Sequence, residues 1–159
     1  ENMPSTMEDV LQKHVEEGGG SPGRVVALGW CTQLMKGLAY LHGLETPLAH
    51  RDVCLANLLV AADGNTLKLA DLSMAVPANG TGAKTHFRRG ALRYTAPEVD
   101  LDATAAPAGV PGHDATKADV YSAALCCWCM VFGAVKPFAE LVDEEEVRRE
   151  VRRGQRPEL

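Results

Sequence analysis

Apolar positions in this chain follow two periods, and the switch between them marks its parts. Between Val25 and His42, the residues Val26, Trp30, Leu34, Leu38 and Leu41 fall three and four apart, which predicts an amphipathic helix with one face packed inward. From Leu48 to Ala70 the apolar runs shorten to Leu58-Leu59-Val60 and Leu67-Lys68-Leu69, separated by Ala62-Asp63-Gly64-Asn65. An Asp-Gly step between two such runs predicts a β-hairpin. The sixteen residues from Val120 to Val135 carry no charge. Rich in Ala, Leu, Cys and Met and preceded by Asp119, they predict a helix buried all round.

Weaker patterns fill the remainder. An extended piece ends at Pro4, and Ser5 or Thr6 is placed to cap a short helix reaching about Val15, with Glu8 in its first turn. Glu16 to Gly23, with four Gly and a Pro, reads as a flexible connector. Pro77 to Arg93 shows no periodicity and reads as a mobile loop. Asp100 to His113, with an Ala-Pro step, a Val-Pro step and two Gly, reads as a surface excursion. Lys136-Pro137-Phe138 breaks the long apolar run. Asp143 to Arg153 predicts a charged, solvated helix in which Glu144 pairs with Arg148 and Glu145 with Arg149, each pair contributing about 0.2–0.5 kcal/mol.

Composition narrows the function classes. The chain has 159 residues, 46% apolar and 23% charged, ordinary for one globular domain. A net charge of −5 argues against nucleic acid, which calls for a basic face. The longest uncharged run falls short of the roughly 20 residues a membrane helix needs, so this segment predicts no membrane span. Five cysteines, odd in number and without paired spacing, fit a reducing compartment and a cytoplasmic location, or the intracellular side if the parent protein is membrane-anchored. There is no signal peptide pattern. The chain starts without Met and stops in a charged run, as expected of a piece of something longer.

Candidate chemistry concentrates in His50-Arg51-Asp52-Val53-Cys54-Leu55-Ala56-Asn57, which sets an acid, a cation and an amide carbonyl in one short loop ahead of the hairpin. A hairpin that leaves from Asn57 and returns at Asp71 brings two oxygen ligands together. Oxygen ligands beside phosphate suit Mg²⁺, a hard ion that takes one or two protein groups and keeps its waters. Cys126, Cys127 and Cys129 do not suggest zinc, because successive helical residues point about 100° apart and their sulfurs cannot converge.

His-Arg-Asp followed by four residues and Asn resembles the catalytic loop of the protein kinases, and the landmarks around it follow that family's order. Glu1-Asn2-Met3 resembles the adenine-binding hinge, Gly37 to His42 the end of the helix before the catalytic loop, and Asp71-Leu72-Ser73 the metal-binding Asp-Phe-Gly. Gly90 to Glu98 resembles the substrate-binding loop ending in Ala-Pro-Glu. Lys117 to Ser122 with Trp128 resembles the start of the buried helix, and Arg152 to Pro157 the Arg-x-Gly-x-Arg-Pro segment of tyrosine-kinase-like kinases. The resemblance covers essentially the whole chain. It implies an α+β fold, mainly α-helical: a kinase C-terminal lobe with a small β-hairpin carrying the catalytic and metal-binding loops, spanning residues 1–159 without the N-lobe and the final helices.

The same resemblance assigns roles. Asp52 is the catalytic base, Asn57 and Asp71 hold Mg²⁺, and Arg51 meets a phosphorylated activation loop, with Thr81 and Thr85 as candidate phosphosites. Glu1 and Met3 bind the adenine of ATP, over Leu59. His50 and Leu72 stack in a spine, and Asp119 holds the catalytic loop through its backbone. The implied activity is phosphoryl transfer from Mg-ATP to a protein substrate. Serine or threonine is favoured, because Gly90 to Tyr94 lacks the Pro typical of tyrosine kinases.

Departures from the pattern set the alternatives. Cys54 stands where the family has Lys, and Ala91 where it has Thr; that Lys stabilises the transferring charge. Cys54 reads either as a low-pKa thiol or as an inert filler. Ser73 replaces a Gly that tolerates positive φ, which predicts strain there. The chain has no Gly-rich loop, no phosphate-binding Lys and no Glu to pair with it, so the fragment alone is expected to be inactive without the N-lobe of its parent. The other reading is a pseudokinase, a nucleotide-binding or docking module.

Overall fold

The structure is a computed structural model and describes residues 3–78, 91–99 and 114–158. The first element, strand β1 (Ser5–Thr6), leads directly into helix α1 (Met7–Glu16). Thr6 is the cap: its hydroxyl accepts from the Asp9 amide at 3.1 Å, and the Asp9 carboxylate accepts from the Thr6 amide at 2.9 Å. This reciprocal box satisfies two orphan donors of the first turn, and the Thr6 bonds hold the Asp9 carboxyl below its usual range.

Helix α2 (Arg24–His42) confirms the long amphipathic segment but turns a neighbouring stripe inward. Ala27, Trp30, Leu34 and Leu38 are buried, whereas Val26 is 36% exposed and Leu41 only half-buried. Val26 lies one 100° step off the inward line, and the small Ala27 takes the position expected of it. Polar atoms on α2 also clamp the hairpin. Trp30 Nε1 donates to the Gly64 carbonyl at 3.1 Å, and Gln33 accepts from the Leu67 amide at 3.0 Å while donating to Asn65 at 2.9 Å.

Strands β3 (Leu58–Val60) and β4 (Leu67–Leu69) form the expected hairpin, with Leu58 opposite Leu69 and Val60 opposite Leu67. Its turn is set by the Asp63 carboxylate, which accepts from the Asn65 and Thr66 amides at 2.9 Å, and by Gly64 at φ +69°. β1 adds a third strand, pairing Ser5 with Val60 and Thr6 with Leu59. A second pairing joins β2 (Leu48–Ala49) to β5 (Val76–Pro77), so Pro77 belongs to a strand rather than to the loop expected to begin there. Residues 79–90 of that expected loop lie outside the described residues, as does the excursion at residues 100–113, while its last residues form a 3₁₀ turn (Ala91–Tyr94) in which Arg93 is buried, not a mobile loop.

Helix α3 (Ala115–Phe132) corrects the reading of the apolar run twice. It starts five residues before Val120, capped by Asp114, whose carboxylate accepts from the Thr116 and Lys117 amides. Asp119 therefore lies inside the helix rather than ahead of it. Nor is the helix buried all round: Val120 and Phe132 are 45% and 46% exposed. The buried face, Asp119, Ala123, Cys126, Met130 and their neighbours, packs on α2. The helix ends at Gly133, with φ +70° and the Gly20 carbonyl 3.0 Å from where a Cβ would stand. Both facts restrict the position to glycine, and the connector at Gly20 is thereby packed in place.

Past this end, Phe138 is fully buried at φ +53°. The buried Arg93 guanidinium closes the turn, donating to Phe138 O at 2.7 Å and Leu141 O at 2.9 Å. Nothing in the residue pattern marked Arg93 for this. Helix α4 (Glu144–Arg152) buries Val147 and Val151. Among its charges, Arg148 meets Glu145 at 3.6 Å and Arg153 meets Glu150 at 2.8 Å. Among the described residues no helix is long and apolar enough to cross a membrane.

The shifted stripe of α2 gives a direct test. Leu34→Ala should lower unfolding free energy by about 2–5 kcal/mol, and Val26→Ala by less than about 0.5 kcal/mol, both read from urea midpoints. Equal losses would contradict the observed face.

Candidate active site

The segment after β2 holds Arg51, Asp52 and Asn57, and a closed ring of hydrogen bonds ties two of them, Asp52 and Asn57, to His50 and Ala70. The Asp52 amide donates to His50 Nδ1 at 3.3 Å, and His50 Nε2 lies 3.0 Å from the Ala70 carbonyl. The Ala70 amide donates to the Asn57 carbonyl at 2.9 Å. Asn57 Nδ2 closes the ring, donating to Asp52 O at 2.7 Å and to Asp52 Oδ2 at 2.9 Å. An amide can only donate and a carbonyl only accept, so the two bonds at His50 select the tautomer with the proton on Nε2. His50 is fully buried, and Asp52 and Asn57 are buried beside it. The histidine thus acts as a bracket between the acidic loop and the returning strand, a role the residue pattern did not reveal.

A second anchor comes from α3. Asp119, fully inside the core, accepts from the His50 amide through Oδ2 and from the Arg51 amide through Oδ1, both at 2.7 Å. His42 at the end of α2 adds Nε2 at 2.9 Å from Oδ2. A buried carboxylate without partners would be strongly unfavourable; here three donors compensate it. The backbone contact expected of Asp119 is present.

Two non-glycine residues in the site have left-handed backbone, Arg51 at φ +67° and Asp71 at φ +64°. Such residues are held there only when their surroundings overdetermine them. Arg51 is fixed through its amide on Asp119, and its half-buried side chain is held below its usual pKa by burial, opposed by the Asp119 charge. Asp71 follows Ala70 on the returning strand and accepts from the Ser73 amide at 3.2 Å. Strain was expected at Ser73, but Ser73 sits in a 3₁₀ turn (Leu72–Met74) and the positive φ belongs to Asp71.

The β3–β4 ladder continues into a backbone bond between Ala70 and Asn57, so Asp71 is the residue next to Asn57's partner. Among the described residues no three His, Cys, Asp or Glu side chains are grouped to hold a metal. A hard ion needs less: the Asn57 amide nitrogen is spent on Asp52, leaving its oxygen to join the Asp71 carboxylate, and phosphate and water can supply the rest. That donor set fits Mg²⁺ and not zinc.

Other expected residues are less tightly gathered. Leu59 is half-buried in β3 and pairs with Thr6, and Met3 lies half-buried three residues before that partner. Glu1, Thr81, Thr85 and Gly90 lie outside the described residues. His50 is buried as a spine residue should be, but Leu72 is 51% exposed, so only half of that pair is built into the core. Cys54 is buried, and its thiol is pushed up to about 11, first by burial and then by the Asp52 charge. The low-pKa reading of this thiol is overturned; it is a neutral filler.

A family model described as "Protein kinase domain" matches residues 3–157. The chain belongs to the protein kinase family. Within it, the chain is 28% identical over 148 residues to serine/threonine-protein kinase pkpA of Phycomyces blakesleeanus, covering 93% of this chain and 22% of that protein. It is 30% identical over 133 residues to the serine/threonine-protein kinase WNK of Caenorhabditis elegans, 84% of this chain and 6% of that one. Mitogen-activated protein kinase kinase kinase 7 of Drosophila melanogaster is 33% identical over 135 residues, 84% of this chain and 18% of its own length. The chain spans less than a quarter of each of these kinases.

Two consequences are measurable. Asp119→Asn should cost about 2–4 kcal/mol, because the new amide offers one acceptor where three donors converge, and amide exchange at His50 and Arg51 should accelerate. Cys54 should resist iodoacetamide at neutral pH until the protein is unfolded; rapid labelling of the folded protein would contradict its buried, neutral state.

Proposed function

We propose that this kinase domain transfers the γ-phosphoryl group of Mg-ATP to a serine or threonine hydroxyl of a protein substrate. The observation that carries the reading is the four-bond ring through His50, Asp52, Asn57 and Ala70, which sets a carboxylate against an amide and ends on the residue just before Asp71. In this reading Asp52 accepts the proton of the attacking hydroxyl, and the Asn57 bond to Oδ2 fixes the direction of its carboxylate. Asn57 and Asp71 offer oxygens to Mg²⁺, whose charge would offset that of the transferring phosphoryl group. Leu59, with the Glu1 to Met3 backbone, would bound the adenine. Arg51, rigid on Asp119, would receive a phosphorylated Thr81 or Thr85. Phosphate-binding Gly and Lys residues of the N-lobe are part of this mechanism and must come from the full-length protein, so the 159-residue chain alone is expected to be inactive. The similarity to serine/threonine-protein kinases supports the hydroxyl class, and the Arg152 to Pro157 segment supports a tyrosine-kinase-like affinity.

One observation favours a second reading. The neutral Cys54 beside Asp52 leaves the site without the cation that the family places there, as in a pseudokinase that binds nucleotide or docks partners. Assay of the full-length protein with Mg-ATP and a generic protein substrate separates the two. Asp52→Asn should abolish turnover, by about 10³-fold or more as expected for a lost base, while leaving nucleotide binding in place. Undiminished turnover in that variant would overturn the kinase mechanism, and nucleotide binding with no wild-type turnover would establish the pseudokinase. In the active case, Cys54→Lys with Ala91→Thr should raise kcat by on the order of tenfold, equivalent to about 1.4 kcal/mol of barrier; no gain would show that this contact is not what limits the site.

A further inference from the structure

The five thiols are all free, and they divide into two kinds. Cys54, Cys126 and Cys129 are buried in the core, and burial is the main cause that raises each of them, Cys129 to about 12. Cys31 on α2 and Cys127 on α3 are only half-buried, and they face one another across the seam between these two helices. Cys31 Sγ lies 4.0 Å from the Cys127 carbonyl oxygen, and the two thiols hydrogen bond to each other. The bond is unequal. Donation from Cys127 is the leading reason that Cys31 ionises below its usual range, and the same contact together with burial pushes Cys127 up. Cys31 is therefore the more acidic thiol of the pair, with the Cys127 S–H beside it.

The seam also gives access. Leu28 lies one turn from Cys31 on the same face of α2, and Val131 one turn from Cys127 on α3. Together with Pro22 and Phe132 they line an open cavity of about 510 Å³. A small solute can reach within a helical turn of both sulfurs.

We propose that Cys31 and Cys127 are a reversible oxidation site, at which a hydroperoxide converts two facing thiols into a disulfide that staples α2 to α3. The Cys31 thiolate attacks one peroxide oxygen; the O–O bond breaks, and for hydrogen peroxide the departing hydroxide takes a proton and leaves as water. Cys31 is then a sulfenic acid. The Cys127 sulfur attacks it, the S–O bond breaks, and the Cys127 proton leaves with the hydroxyl as a second water. Two thiols lose two electrons in total, and one peroxide is reduced to two waters. Disulfide formation requires close Cβ approach, and the packing that sets Cys31 Sγ 4.0 Å from the Cys127 carbonyl oxygen already holds the two residues side by side. The same two helices carry His42 and Asp119, and Asp119 lies about 12 Å from Cys127 along α3 at 1.5 Å per residue. The staple would thus tie together the pair of elements that hold the catalytic loop.

Full-length protein treated with a few equivalents of hydrogen peroxide, blocked with an alkylating agent and digested without reductant should yield the Cys31 and Cys127 peptides joined. The joined species should be two hydrogens lighter than its parts and disappear on adding dithiothreitol. Oxidised protein should also melt at higher temperature than reduced protein. In Cys127→Ser, peroxide should stop at a Cys31 sulfenic acid that dimedone captures, and in Cys31→Ser neither product should form. Cys31 recovered only as the alkylated thiol, Cys31 joined to another cysteine, or an unchanged Tm after quantitative cross-linking would overturn the proposal.

Discussion

The site depends on one buried carboxylate. Asp119 sits in the core with both oxygens occupied by the His50 and Arg51 amides and by the His42 ring. A hydrogen bond to a charged group contributes about 1.5–3 kcal/mol, and here that energy is spent on the backbone of a loop rather than on another side chain. The loop has little regular structure of its own, so without this acceptor its amides would face an apolar interior. Helices α2 and α3 therefore do more than build a core: one delivers His42, the other Asp119, and their packing fixes where the acidic loop begins.

From that fixed start the ring of hydrogen bonds carries order forward to Asp71. His50 spans the gap by holding the Asp52 amide on one nitrogen and the Ala70 carbonyl on the other. The two left-handed residues flank this unit, Arg51 at its entrance and Asp71 at its exit. A non-glycine residue in that region costs roughly 1–2 kcal/mol, and each is held by a hydrogen bond close by: the Arg51 amide donates to Asp119, and the Ser73 amide donates to the Asp71 carboxylate. The strain thus sits on Arg51 and Asp71 themselves, and not at Ser73, where the family pattern places its glycine.

Much of this was legible in the residues, for identifiable reasons. Asp-Gly between short apolar runs could mean little except a hairpin, and the hairpin is what joins Asn57 to Ala70, one residue before Asp71. The α2 period was visible, although its phase was read one residue off, because Val26 is more apolar than Ala27 and hydropathy cannot see which side α3 approaches. β1 and the β2–β5 pair were not visible at all: two-residue strands carry no period, and their pairing is decided by tertiary placement. The early start of α3 escaped because Ala115 to Lys117 lack bulk, while the capping power of Asp114 was overlooked. Arg93 escaped for the opposite reason, since an isolated arginine reads as surface until the carbonyls of Phe138 and Leu141 are placed around it.

Cys54 shows how the same environment can oppose and favour a substitution. Its thiol is raised first by burial and second by the charge of Asp52. Burial would penalise an ammonium at this position, while the Asp52 charge would favour it. The larger influence is the unfavourable one, so a charge held where the sulfur now sits would destabilise the core. A lysine has four methylenes, however, and can bury its stem while its head reaches toward solvent or a phosphate. There only the attraction of Asp52 remains. The position thus accepts a cation if the cation projects out of the pocket, and the present cysteine is what fills the stem of that pocket when no charge is needed beyond it.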